Sequence, residues 1–488
     1  MPYHQADIRE VERQKPGKDG GALMKYSAGS RSFLRYGYGD LLGADRKWNV
    51  MSRIWPGTQR LLLWGDPEAA AQYSRAFRFC GSDGVEICEP LSFKGRRGSG
   101  IAGDRCAYLD KTLRPRWDWQ KYEYGTRVWG LLLYDPDCEA SVWRRYLDHH
   151  FGEAAVACEK ALSQASKILP IVTTAYGPSA ANNLYWPEMY LNQSMVDAEH
   201  PGPYTDALAP KVFGNASAFD PQLFATADET ADGAANGRYS PLDVAQWLEE
   251  HAKAALRYLE EAKKSDRAEF RRLAVDVRIQ AGLGLFFADK FRSAVLYHVF
   301  EKTGNRGSLL QAIDLYKKAR AAWADLAATA KPVYVADVTV GEHPQLRGHW
   351  ADRLAAIDAD IQALEHQLGG AKEMAVPTFS ERAAIVADHA AATGYKRGTA
   401  LEIGLKTEAA RQVRLWYRHV DQAERFVAVQ MVARADGYRA VIPGEYTASE
   451  FAVQYYFEVR GENSVGLYPG FEHGATPYFV VQPWHESA

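Results

Sequence analysis

Arg60-Leu-Leu-Leu-Trp-Gly-Asp-Pro67 is an apolar run closed by a glycine, a carboxylate and a proline, and its reading decides the fold of the N-terminal third. Leu61 to Trp64 ahead of Gly65 fit a short strand buried on both faces. Pro67, tolerated in a first helical turn, then opens a helix to about Phe79, since Glu68-Ala-Ala-Ala follows. Outward from there the alternation continues. Phe33-Leu-Arg-Tyr-Gly-Tyr-Gly39 reads as a strand, Asp45 to Ser52 as a helix, Gly84-Val-Glu-Ile-Cys-Glu-Pro90 as a third strand and Trp117 to Tyr134 as a long aromatic helix. Short strands spaced by helices predict a parallel sheet. The visible units are too few for an eight-stranded barrel or for the roughly four to six strands of a stable open sheet. Residues 1–137 are therefore expected to be the C-terminal βα units of a TIM-like, partial (β/α) barrel. The expectation extends to a longer reading frame around Met1, of which this chain is the C-terminal portion.

Residues 138–370 read as an α-helical domain. Val142–Leu169, Pro241–Lys264, Glu269–Thr303, Ser308–Ala330 and Gln345–Leu368 repeat apolar residues at three and four spacing, with Gly304-Asn-Arg-Gly307 as a helix–helix turn. An irregular insert, Ala175 to Pro221, interrupts the bundle, and structureless loops that long are usually functional. After Gly369-Gly370, apolar and polar residues alternate in short runs such as Gln412-Val-Arg-Leu-Trp-Tyr-Arg and Val453-Gln-Tyr-Tyr-Phe-Glu-Val, predicting a β-sandwich domain over 371–488. The fold class is thus multidomain: α/β, then all-α, then all-β.

Composition narrows the function. Of 488 residues, 58 are basic and 61 acidic, so the net charge of −3 supplies no global field toward nucleic acid or an anionic bilayer. No apolar run is long enough for a spanning helix, so no membrane partner is expected. Five cysteines lack CxxC pairs and zinc spacing, which fits free thiols in a reducing compartment, and the first twenty residues lack an export pattern. A cytoplasmic protein without metal or organic cofactor is the expectation. Aromatics reach 12% with 13 tryptophans, and flat apolar faces with polar rims are what pyranose rings stack on.

Three groups could do chemistry. Asp66, Glu86 and Glu89 fall at predicted strand ends, where α/β folds place their sites, and paired carboxylates are what glycoside hydrolysis requires. A helix cap is the competing reading of Asp66. Tyr36, Tyr38 and Trp64 would form a stacking platform beside them. The loop Ser92-Phe-Lys-Gly-Arg-Arg-Gly-Ser-Gly100 presents Lys94, Arg96 and Arg97, which suit the carboxylate of an acidic sugar; a solvated loop explains the same letters. In the insert, Asn182, Asn183, Tyr185 and Trp186 mix amides with ring faces, and His349 adds an imidazole from a later helix start. GxSxG, HExxH and GxGxxG are all absent.

RLLLWGDP, FCGSDGVEICEPLSFKGRRGSG and RPRWDWQKYEYGTRVWG resemble the last strands of a bacterial TIM-barrel glycosidase followed by helical and β-sandwich domains. The order is similar to that of the xylan α-glucuronidases. The resemblance implies a glycoside hydrolase, or its C-terminal portion, acting on an oligo- or polysaccharide that carries a uronic acid. Two alternatives stand beside it. A polysaccharide lyase would use Asn182, Asn183, Tyr185 and His349 to neutralise a uronate and move its proton. A non-catalytic carbohydrate-binding or scaffold fragment would bind glycan without turnover.

Overall fold

The computed structural model describes residues 49, 51–54, 60–79, 82–88, 106–175, 187–192, 194–196, 223–262, 265–339, 347–379, 382, 385–408, 410–420, 424–462, 465–470 and 477–484. The expected strand Phe33–Gly39 lies outside them, as do Tyr36, Tyr38, Glu89, Lys94, Arg96, Arg97, Asn182, Asn183, Tyr185 and Trp186.

The N-terminal part contains one parallel pair, β1 (Met51–Ile54) and β2 (Gly84–Ile87), joined through helix α1 (Pro67–Phe79). A closed barrel is not present among the described residues. Met51 and Ser52, read as the end of a helix, pair with Gly84 and Val85 in the sheet instead. The decisive stretch 60–65 is also not a strand. It is an irregular segment threaded through the core, with Leu61 and Leu62 each 1% exposed. Apolarity there records burial, which a strand and a buried connector share.

Helix α2 (Glu123–Tyr134) starts after a 3-10 turn, Asp118–Tyr122, so the aromatic helix predicted from Trp117 is split in two. The helical domain follows with α3 (Ser141–Phe151), α4 (Ala155–Ala175), the single turn α5 (Ala227–Ala231), α6 (Pro241–Glu261), α7 (Ala268–Thr303), α8 (Arg306–Ala330) and α9 (Leu354–His366). Local signals set several boundaries. Ser240 and Asp243 form a reciprocal capping box with Pro241 at the first position of α6. Gly304 ends α7 at φ 73°, and Asn305 caps α8 by accepting the Ser308 N–H at 3.1 Å. The 36-residue α7 is buried around its whole circumference and supplies apolar side chains to two clusters, one with Ile279 and Phe286, the other with Leu273 and Val277.

The C-terminal part holds two antiparallel sheets. One joins β4 (Gln412–His419), β5 (Val427–Gln430), β8 (Val453–Arg460), β9 (Val465–Tyr468) and β10 (Phe479–Val481); the other joins β3 (Leu401–Leu405), β6 (Val432–Arg434) and β7 (Gly437–Ile442). Ile403 and Ile442 of the small sheet share one apolar cluster with Leu415 and Phe457 of the large one. Tyr456, on the other face of β8, packs into the helical cluster.

Candidate functional site

An irregular buried segment must satisfy its backbone without a ladder. Residues 60–65 do so through side chains of distant elements. The Glu188 carboxylate accepts the N–H of Arg60 at 2.8 Å, of Leu61 at 3.0 Å and of Leu62 at 2.6 Å. Asp276 on α7 accepts the Leu63 N–H at 2.8 Å, while Gln280, one turn on, donates to the Leu63 carbonyl at 3.0 Å. Ser166 Oγ accepts from Gly65, and Tyr122 donates to the Leu61 carbonyl at 2.6 Å. A Cβ on Gly65 would lie 2.6 Å from the Tyr124 ring, so glycine is required there by space alone.

Around this segment lies a buried polar centre. Lys121 Nζ sits 3.0 Å from Asp276 Oδ2 and donates to Tyr334 Oη at 2.9 Å; Tyr334 in turn donates to Asp276 Oδ1. The ammonium also lies 5.0 Å from the Tyr108 ring and 5.4 Å from that of Tyr122. Burial pulls the Lys121 pKa down, but the Asp276 charge and the surrounding tyrosines outweigh it and hold the group above its ordinary value; burial pushes the Tyr108 hydroxyl up to about 12. The centre is therefore a locked ion pair in an aromatic cage. A small hollow of about 20 Å³ opens beside it, lined by Leu61, Tyr108, Pro115, Asp118, Lys121 and Tyr122. It holds about one water-sized group.

The sequence-derived candidates divide accordingly. Asp66, expected to face substrate, is 1% exposed: its carboxylate is 3.0 Å from Lys167 Nζ and accepts the Ser163 hydroxyl at 3.0 Å. Burial still raises its pKa. It ties the start of α1 to α4, a structural task that leaves no face for a sugar. Trp64 is no platform either, because its ring stacks on Trp129 at 4.7 Å inside the core. His349 is buried as the cap of a 3-10 turn, its Nδ1 accepting the Ala351 N–H at 3.1 Å, and burial lowers its pKa. Glu86 is exposed on β2, opposite Arg53 in the register. The Cys88 N–H donates to the Ile54 carbonyl at 2.8 Å, so the parallel pairing runs to the residue before Glu89.

The described part of the insert faces inward. Glu188 and Tyr190 are fully buried, and Asn192 Oδ1 accepts from both Lys290 and Tyr316. Asp360 accepts the Met195 N–H at 2.9 Å and the Ser194 hydroxyl at 2.6 Å. These letters anchor the insert to α7, α8 and α9. Sequence reasoning looked to other residues of the insert for ligand groups and missed Asp276, Lys121 and Asp360 altogether. The signal was faint: a charged residue on an otherwise apolar helix face, as Asp276 is between Ala274 and Val277. Among the described residues no group of three His, Cys, Asp or Glu side chains could hold a metal ion, and no helix is long and apolar enough to cross a membrane.

No protein-family model matches the chain, and no curated protein does. Among solved structures the chain is similar to a GH138 enzyme targeting pectin rhamnogalacturonan II, with a TM-score of 0.52 at 16% identity. The match covers 65% of this chain and 47% of that one, so it spans about half the length of the enzyme. About two thirds of this chain thus shares its fold with part of that enzyme.

Proposed function

We propose that the protein is a glycoside hydrolase, or the C-terminal portion of one, that acts on a uronate-bearing polysaccharide. The observation that carries this reading is the fold shared with an enzyme that targets pectin rhamnogalacturonan II. The cationic side chains Lys94, Arg96 and Arg97 support the acidic substrate, since guanidinium groups hold carboxylates bidentately. Glu89 is the carboxylate assigned to catalysis. In sequence it comes directly after Cys88, whose N–H bonds the Ile54 carbonyl beside the β1–β2 pair, and α/β folds place their sites beyond the C-terminal ends of parallel strands. Glu86 is the second candidate, exposed three residues earlier. The burial of Asp66 and Trp64 takes them out of the proposed site. Tyr36 and Tyr38 remain its proposed ring platform.

The test is the turnover of pectic oligosaccharides by Glu89→Gln. The variant keeps size and hydrogen bonding but cannot ionise, and a drop of about a hundredfold to ten-thousandfold in kcat is expected, the usual worth of a general acid or base. Turnover undiminished in Glu89→Gln would remove the assignment.

A further inference from the structure

We infer that residues 115–122 carry a pyranose-binding subsite, in which Trp117 and Trp119 are the stacking faces, Asp118 accepts sugar hydroxyls and Arg116 meets an acidic substituent. The proposal rests on the reading of this chain as a glycan-acting protein and assigns that reading a set of residues other than Glu89.

Trp117 and Trp119 are 55% and 60% exposed on one short turn, whereas Trp129, Trp143, Trp247, Trp323 and Trp350 are buried. Among the described residues, Trp119 makes no ring contact or side-chain hydrogen bond, and the Asp118 carboxylate makes no hydrogen bond or ion pair. Both are free for a ligand. Arg116 places its guanidinium 5.6 Å from the Trp117 ring. The turn is held from its inner side: Lys121 is fixed by Asp276 and Tyr334, and Tyr122 by the Leu61 carbonyl. Gln120 adds a bond to the Trp117 backbone N–H at 2.9 Å. The indoles are thus presented by a rigid support, which lowers the ordering cost of binding. An indole offers an apolar face with a polar N–H at its rim, the combination that suits the C–H face and equatorial hydroxyls of a pyranose.

Size points to the same geometry. The hollow that Asp118 and Pro115 line holds about 20 Å³, enough for one hydroxyl-sized group and too little for a ring. A bound sugar would therefore lie outside, on the indoles, with one substituent dipping beside Asp118.

Isothermal titration of the full chain with oligogalacturonides, and in parallel with xylo-oligosaccharides, tests this in a Glu89→Gln background so that turnover adds no heat. Trp119→Ala should weaken oligogalacturonide binding about tenfold, the upper range of one aromatic stack, and Trp119→Phe should restore most of it. Arg116→Gln should weaken the acidic probe and spare the neutral one. The proposal is overturned if the parent binds neither probe, or if Trp117→Ala/Trp119→Ala melts like the parent and binds as tightly, which would make the exposed indoles a protein contact surface. Lost binding in the indole variants together with undiminished turnover in Glu89→Gln removes only the carboxylate assignment. The reverse pattern removes only the subsite.

Discussion

Lys290 carries its ammonium into a site with no exposure at all, ringed by Tyr190, Phe286 and Tyr316, with Asn192 Oδ1 as acceptor. Burial lowers its pKa from the ordinary lysine value to about 7, against a smaller pull upward from Asp360. Its linkage has a definite sign. Above pH 7 the folded protein has released this proton while the unfolded chain retains it up to the ordinary lysine range, so the unfolded state binds more protons and stability rises with pH. Relative to Lys290→Met, the wild type should gain about 1.4 kcal/mol per pH unit between roughly pH 7.5 and 9, measured by urea unfolding. A constant difference across that range would contradict the assignment. The same residue shows why buried polar chemistry was hard to read in the sequence. Lys290, Asp276 and Asp360 lie in helices whose apolar periodicity was legible, but each owes its role to a partner far along the chain, such as Asn192, Leu63 or Met195.

At the scale of elements, the helices were legible because their signals are local. Ser240-Pro241 with Asp243, and Gly304-Asn305, mark a helix start and a helix junction within a few residues. The stretch 60–65 was not, because most of its backbone partners are side chains more than a hundred residues away in sequence. Glu188 is the clearest case: one side chain serves three consecutive N–H groups. Glu188→Ala would orphan all three in the core, at about 1–3 kcal/mol for each buried donor left unmet, so a loss of at least about 3 kcal/mol is expected in urea unfolding. Glu188→Gln retains one acceptor oxygen and should lose less. Equal stability of the wild type and Glu188→Ala would mean that this segment finds its hydrogen bonds elsewhere. Asp66 teaches the complementary lesson, since a carboxylate before proline fits both a strand-end acid and a helix start. Lys167 and Ser163, which settle its surroundings, sit on α4 with no sequence mark linking them to it.

At the scale of the whole molecule, β8 joins two cores. Tyr455 and Phe457 face the cluster shared by the two sheets, whereas Tyr456 between them enters the helical cluster, 4.9 Å from Phe426 and stacked on Trp416 at 6.0 Å. Arg382 adds a polar tie by donating to the Gly237 carbonyl at 2.9 Å. The alternation of β8 was legible as a strand, but the apolar use of its second face was not, because Tyr456 reads equally well as a solvated residue. Helical and sheet parts coupled in this way should unfold in one calorimetric transition, and Tyr456→Ala should lower its midpoint through a loss of about 3–5 kcal/mol, typical of a deleted core aromatic. Two transitions, with only one displaced by the substitution, would show that the parts fold independently.

The central claim is hydrolysis of an acidic glycan, and the product of the reaction tests it most directly. The full chain is incubated with pectic oligosaccharides while new reducing ends and near-ultraviolet absorbance are followed together. Reducing ends that grow with time, without an absorbing unsaturated ring, are the predicted result. An unsaturated product, or glycan bound and returned uncut, would contradict it.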